Sequence, residues 1–442
     1  MCGLVVAGLV CAATAAAQKP AATAPAPRVT TEKSGSFPVR EGGRLKLVTD
    51  MGSVRVVTEA GTTVLTYRVR IEADASQPDA QSLLEQFNVS AKAVPDGVHI
   101  TGTVPWKNFR GRVMVSYEVQ LPRRFNLEIV TNAGNIRLGD VDGQVTLVSA
   151  GGNLVAGNIG GPAKLETKGG HITVMHVAGP LYASTLGGHV TVGKVKGDAV
   201  LHTAGGHITA ISVQGTAQME TAGGNISLER AGAGVVASTA GGRIDVGEAS
   251  GAIRANTAGG GIRVVRFAVP TQLQTAGGSI YLTCVQNSVR ATTLAGGITA
   301  WILPDVKVQG FSLLESSHGD ILVYVPRELA ITIEAHVEGG GEHRIDAPGL
   351  PVKIISTGGP NSPNLRAEVT LNGGGEVLRL RATHGSIRLR FSDDYKSLYE
   401  RIYKTQMESF LKSREWEERV FEYRSEPQEK KKEKKEKEKE KD

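Results

Sequence analysis

From Thr131 onward, apolar positions alternate with polar ones in short runs, and the runs recur with a fixed spacing of 18 residues. The pattern returns at Thr131, Ser149, Thr167, Thr185, Thr203, Thr221, Thr239, Thr257, Thr275 and Thr293. Three residues after each stands a glycine, from Gly134 through Gly206 to Gly296, and two further on an Ile, Leu or Val such as Ile136, Ile172 or Ile298. Within one unit Ile208, Ala210, Val213, Ala217 and Met219 are small or medium apolar positions that recur in the neighbouring units. Period-2 runs separated by glycine turns predict strands. A period this short predicts units that stack and bury their apolar side chains together. The predicted fold class is therefore all-β: a parallel β-solenoid (β-helix) with 18-residue coils. At about 4.8 Å per coil, the repeated units would make a rod roughly 50 Å long. The Thr/Ser column would form an inward or corner ladder and the Ile/Leu/Val column would fill the centre. The glycines would make corners where positive φ costs little.

The flanks carry weaker copies of the same pattern. Thr49-Asp50-Met51-Gly52-Ser53-Val54 reads as one coil ahead of an insertion, and residues 78 to 88 read as a short amphipathic N-terminal helix. Residues 36–130 are expected to form an N-terminal β cap region, because a stack of strands needs its open end covered. Residues 131–302 are the regular array. Residues 303–391 are expected to be irregular coils, since His318-Gly319-Asp320-Ile321 and His384-Gly385-Ser386-Ile387 keep the theme with longer loops. In residues 392–425, Leu398, Tyr399, Ile402, Tyr403, Met407, Phe410 and Leu411 fall at helical spacing, predicting a C-terminal capping helix or a helix for self-association.

Composition narrows the class. Glycine, at 55 residues, is abundant and aromatics are 5%, which suits a narrow core of small aliphatic residues and argues against the aromatic girdles of a membrane barrel. The formal charge is +6, but residues 426–442 form a Lys/Glu tail of alternating sign that reads as a solvated, disordered segment. The remaining basic residues lack aromatic interleaving, so no nucleic-acid partner is expected. Residues 1–17 read as a signal peptide and 18–35 as a flexible leader, predicting export to the periplasm, cell envelope or extracellular space. Loss of Cys2 and Cys11 with the signal would leave Cys284 alone, without a disulfide or cysteine metal cluster.

The search for reactive groups is mostly negative. From Ser149 to Gln309 the acidic residues are Glu166, Asp198, Glu220, Glu229, Asp245, Glu248 and Asp305; only Glu166 and Glu220 share a column, and they stand three coils apart. A general acid and base on neighbouring coils is therefore not expected there. Calcium-binding turns need carboxylates, but the residue after the paired glycines is Asn153, His171, His189, His207, Asn225 or Arg243. His171, His189 and His207 are candidate metal ligands because they would stack one coil apart, each lowering the other's pKa; the equivalent Asn135, Asn153, Asn225 and Ser279 favour a tolerant polar turn position. No cofactor and no catalytic residue is assigned.

Gly42-Gly43-Arg44-Leu45-Lys46-Leu47, the Thr49-to-Val54 element, the small helix, Tyr117-Glu118-Val119-Gln120-Leu121-Pro122 and the Thr-x-x-Gly-x-Ile array together resemble the bacterial putative adhesin family of DUF4097-type β-strand repeat proteins. The resemblance spans residues 36–391 and implies a β-solenoid of the cell envelope or a secreted one. The expected function is a non-enzymatic exported scaffold or adhesin-like surface whose partner is an envelope or surface component, protein or polysaccharide. The alternative is a polysaccharide-active or metal-dependent envelope enzyme with its site in residues 303–391.

Overall fold

The computed structural model describes residues 28–77, 80–104, 113–304, 312–339, 342–359 and 362–392. Each 18-residue unit contributes one strand to each of two sheets. The first sheet holds the strands that end in the recurring Thr, such as Ala163–Thr167, Leu181–Thr185 and Ala199–Thr203. The second holds those that open on the recurring aliphatic residue, such as Ile172–Val177, Val190–Val195 and Ile208–Val213. Pairing is parallel and in register with the sequence period, so Leu165 lies beside Ala183 and Ile172 beside Val190. The chain is thus a flattened parallel β-solenoid with one strand per face in each coil.

Alternate side chains of both sheets point inward. Leu165, Ala183 and Leu201 from one sheet and Ile172, Val174 and Val177 from the other are all buried, and they belong to one continuous apolar core. Burying a Val, Leu or Ile in this way is worth about 1.5–3 kcal/mol, and repetition in every coil supplies the cohesion that disulfides would otherwise provide.

The corners explain the most regular letters of the sequence. Every Thr or Ser of the ten-unit column is buried, none more than 6% exposed. Thr203 Oγ1 donates to the carbonyl of Gly188 in the previous coil at 2.8 Å and accepts the amide of Gly206 at 3.2 Å. Thr185, Thr221 and Thr239 repeat both bonds. A Cβ on Gly206 would stand 2.0 Å from the Gly188 carbonyl oxygen. The recurring glycine is therefore required by coil-on-coil approach. Within the regular array only Gly134 has φ in the left-handed region, which corrects the expectation that these corners use positive φ.

Both ends depart from sequence order in the same way. Strand Arg44–Thr49 lies between Gly97–Thr103 and Asn126–Thr131, and Ser53–Glu59 lies between Val113–Pro122 and Ile136–Leu138. The chain thus makes one coil, adds a second on its outer side, and returns to start the array. Antiparallel strands finish this end: Val64–Asp74 beside Val113–Pro122, Arg28–Pro38 beside that, and Asn88–Val94 beside Gly97–Thr103. Residues 28–35, expected as part of a flexible leader, instead form part of an edge strand held by backbone pairing. The helix Ala80–Gln86 tucks Ala80 and Leu84 against the cap. The threonine ladder ends here on Tyr117, whose hydroxyl bonds Thr49 at 2.8 Å and whose burial pushes its pKa up to about 12.

At the other end Ser312–His318 and Ile321–Val325 continue the stack. Their outer neighbours are the last described strands, Val377–His384 and Ile387–Phe391. Ile331–Val337 and the two-residue Ile345–Asp346 lie outside those, and Ser362–Leu371 and Val352–Gly359 add antiparallel edges. The final coil is therefore wedged between two earlier ones. The C-terminal capping helix expected at 392–425 falls, beyond Ser392, outside the described residues, as do the signal peptide and the Lys/Glu tail.

Candidate functional site

The three candidate histidines do come together. His171 and His189 stack with ring centroids 4.9 Å apart, and His189 and His207 at 5.0 Å. Their inner nitrogens are already engaged: Nδ1 of His171 accepts the amide of His189, Nδ1 of His189 that of His207, and Nδ1 of His207 that of Asn225, each at 2.9 Å. Asn135, Asn153 and Asn225 do the same with Oδ1, accepting the amides of Asn153, His171 and Arg243. The column is an acceptor ladder that satisfies one amide per coil, and Asn and His are interchangeable because each presents an acceptor at the same reach. An imidazole whose Nδ1 accepts a hydrogen bond keeps its proton on Nε2, so the outward nitrogen is a donor and not a metal-binding lone pair. Among the described residues no group of three or more His, Cys, Asp or Glu is arranged to hold a metal ion. The pKa of His189 is lowered first by partial desolvation and only then by the charge of His171 and His207.

In the C-terminal region the outer face of the first sheet is crowded with charge. Register sets Arg379, Glu334, Glu368 and Lys353 in one row and Arg381, His336, Arg366 and Ile355 in the next. Glu334, His336, Lys353, Arg366 and Glu368 line a hollow of about 710 Å³. Glu334 accepts a hydrogen bond from Arg379 Nε at 2.7 Å. His336 is held below the ordinary histidine value, first by desolvation and then by Arg366 and Arg381. On the outer face of the second sheet, Trp301 and Tyr324 stack at 5.2 Å, so their faces cover each other.

A second hollow, of about 400 Å³, lies on the outer face of the second sheet where the cap meets the array, lined by Arg55, Val57, Arg123, Arg137, Asp140 and Val155 among others. Arg55 lies beside Arg137 in register, and sequence reasoning singled out neither as a site residue. The signal was present: Arg55 follows Gly52-Ser53-Val54 as Arg137 follows Gly134-Asn135-Ile136.

No family model matches the chain, and no curated protein matches it. Solved structures do: a "putative cell adhesion protein" from Clostridium sporogenes ATCC 15579, 11% identical over 82% of this chain and 100% of that one, with a TM-score of 0.16. Another is a "putative adhesin" from Bacteroides fragilis NCTC 9343, 12% identical over 66% and 96% of the two chains, with a TM-score of 0.22. A third, from Parabacteroides distasonis ATCC 8503, is a "putative adhesin" 11% identical over 65% and 97%, with a TM-score of 0.21.

Proposed function

We propose that the protein is an exported, non-enzymatic scaffold of the cell envelope whose outer sheet faces act as an adhesin-like binding surface. The observation that carries this reading is the outward row Thr173, Thr191, Thr209 and Ser227, a run of hydroxyls displayed one per coil on a sheet locked by core packing and corner bonds. A surface of this kind offers repeated hydrogen bonding along a line, suited to an extended polysaccharide or to another protein's edge. Self-association through residues 392–425 and binding to an envelope component are both compatible with it, and no nucleic-acid partner is proposed. The test is fractionation of producing cells with protease shaving, followed by retention of envelope polysaccharide on the purified full chain. Recovery in the cytosol, or no retention of any envelope material, would reject the reading.

One observation favours a second reading, a glycan-cleaving enzyme: Glu334 and Glu368 stand directly opposite each other across antiparallel strands in the C-terminal hollow. Paired carboxylates are the machinery of glycoside hydrolysis. Release of reducing sugar from envelope glycans, abolished by Glu368→Gln, would establish that activity; its absence across those glycans would leave the scaffold reading in place.

A further inference from the structure

We propose that the hollow beneath Arg55 and Arg137 is a binding subsite for the carboxylate of an acidic sugar, such as a uronate residue within a polysaccharide. The inference rests on the reading of the outer faces as a binding surface and names the ligand class for one place on it.

The hollow has a structural origin. Strand Ile136–Leu138 is only three residues long, whereas its neighbour Leu154–Ile159 has six. The chain leaves the second sheet at Gly139, opposite Gly157, and both glycines line the depression. The outer face is therefore missing a row of side chains at that point. At its floor Val155 points outward by alternation into this depression and is 6% exposed, while Leu138 faces the core. Val57, 45% exposed, stands at the rim.

The charge around this floor is asymmetric. Arg55 and Arg137 occupy partnered positions on adjacent parallel strands, both half-buried, and Arg123 closes the same depression. Arg123 pairs with Asp142 at 3.3 Å. Asp140 Oδ1 is held by the backbone and side-chain nitrogens of Asn158 at 2.8 and 2.9 Å. On its other side Arg55 has exposed Glu118 in register, but among the described residues no carboxylate lies within 4 Å of its guanidinium. A carboxylate placed against Arg55 would meet a guanidinium that has no carboxylate of its own among the described residues.

The chemistry selects a carboxylate on a ring. A guanidinium fork fits a carboxylate with two parallel hydrogen bonds. Val57 at the rim and Val155 beneath it suit the C–H face of a pyranose. Asp140 supplies an acceptor for a sugar hydroxyl and, being negative, sets the site against a dianion such as phosphate. Beyond the hollow the same row continues through Thr173, Thr191, Thr209 and Ser227, so a polymer anchored at the arginines meets hydroxyls along its onward path.

The experiment measures binding of the full chain to polygalacturonate, with neutral dextran and inorganic polyphosphate alongside. Saturable binding to polygalacturonate is expected, weakened about tenfold or more in R55Q/R137Q and unchanged in R254Q/R290Q, which removes the same charge from the exposed face of the first sheet. The proposal is overturned if polygalacturonate does not bind, if R55Q/R137Q binds it undiminished, if R254Q/R290Q weakens it equally, or if polyphosphate binds as tightly with the same arginine dependence. Retention of neutral envelope glycans by both wild type and R55Q/R137Q, without uronate binding, would sink the subsite while sparing the broader binding-surface reading.

Discussion

A single hydroxyl joins two coils at each corner, and the neighbouring glycine makes room for it. Thr203→Val keeps the shape but strands the Gly188 carbonyl and the Gly206 amide, so a loss of about 1–3 kcal/mol is expected in guanidinium unfolding. Gly206→Ala should cost more, because its Cβ meets the Gly188 carbonyl oxygen at 2.0 Å, whereas adjacent Gly205→Ala, with nothing closer than 3.8 Å, should stay within about 0.5 kcal/mol. Equal effects from the two glycines would refute the close-approach account. The need for Thr and Gly was legible in the sequence; its cause was not, because positive φ is a property of one residue and coil-on-coil approach is a property of two. The histidine column was legible only in part for a related reason: spacing revealed that the rings stack and the equivalent asparagines that the position is a polar turn, but not that each Nδ1 faces the next coil's amide.

These rings also set a pH dependence. His189, His176 and His336 all have folded-state pKa values below the ordinary histidine value, each chiefly from desolvation. The unfolded chain therefore takes up protons first as pH falls. Stability is complete above about 6.5 and declines as pH drops through that value toward the folded-state pKa. The unfolding midpoint should be lower at pH 5.5 than at pH 7.5, and His189→Asn should reduce the difference while keeping an acceptor in the ladder. A midpoint that rises on acidification over that range would reverse the sign.

Among the elements, the ends behave differently from the middle. The strands of the array each rest on the units immediately before and after them in sequence, which is why their pairing could be read from the period alone. The caps could not be read this way, because the unit next in space is not the unit next along the chain. The wedge formed by Val377–His384 and Ile387–Phe391 supports Ser312–His318 on one side and Ile331–Val337 on the other. A chain ending at Glu376 should therefore lose proteolytic protection across residues 331–371 while the array from Val145 to Thr293 keeps its own. Loss of protection throughout, or none anywhere, would contradict this division.

For the whole molecule, the same period that made the fold legible left the binding places obscure, since Arg55 and Arg137 become neighbours only when an insertion of some eighty residues is folded outward. The array itself should tolerate subtraction. Removing residues 185–238, three full units, joins Ser184 to Thr239 in phase. The product should unfold cooperatively and be shorter by about 14 Å in small-angle scattering. The thiol of Cys284 fits the same picture of a closed interior: burial drives its pKa up to about 12, so it should resist maleimide until the chain is denatured.

The threonine corner gives every interior unit an upper and a lower surface that match, so a duplicated segment of DNA encoding one more unit would find a seat anywhere between the two caps. Reach can then be tuned by copy number alone, with the arginine hollow at one terminus carried nearer to or farther from whatever holds the other.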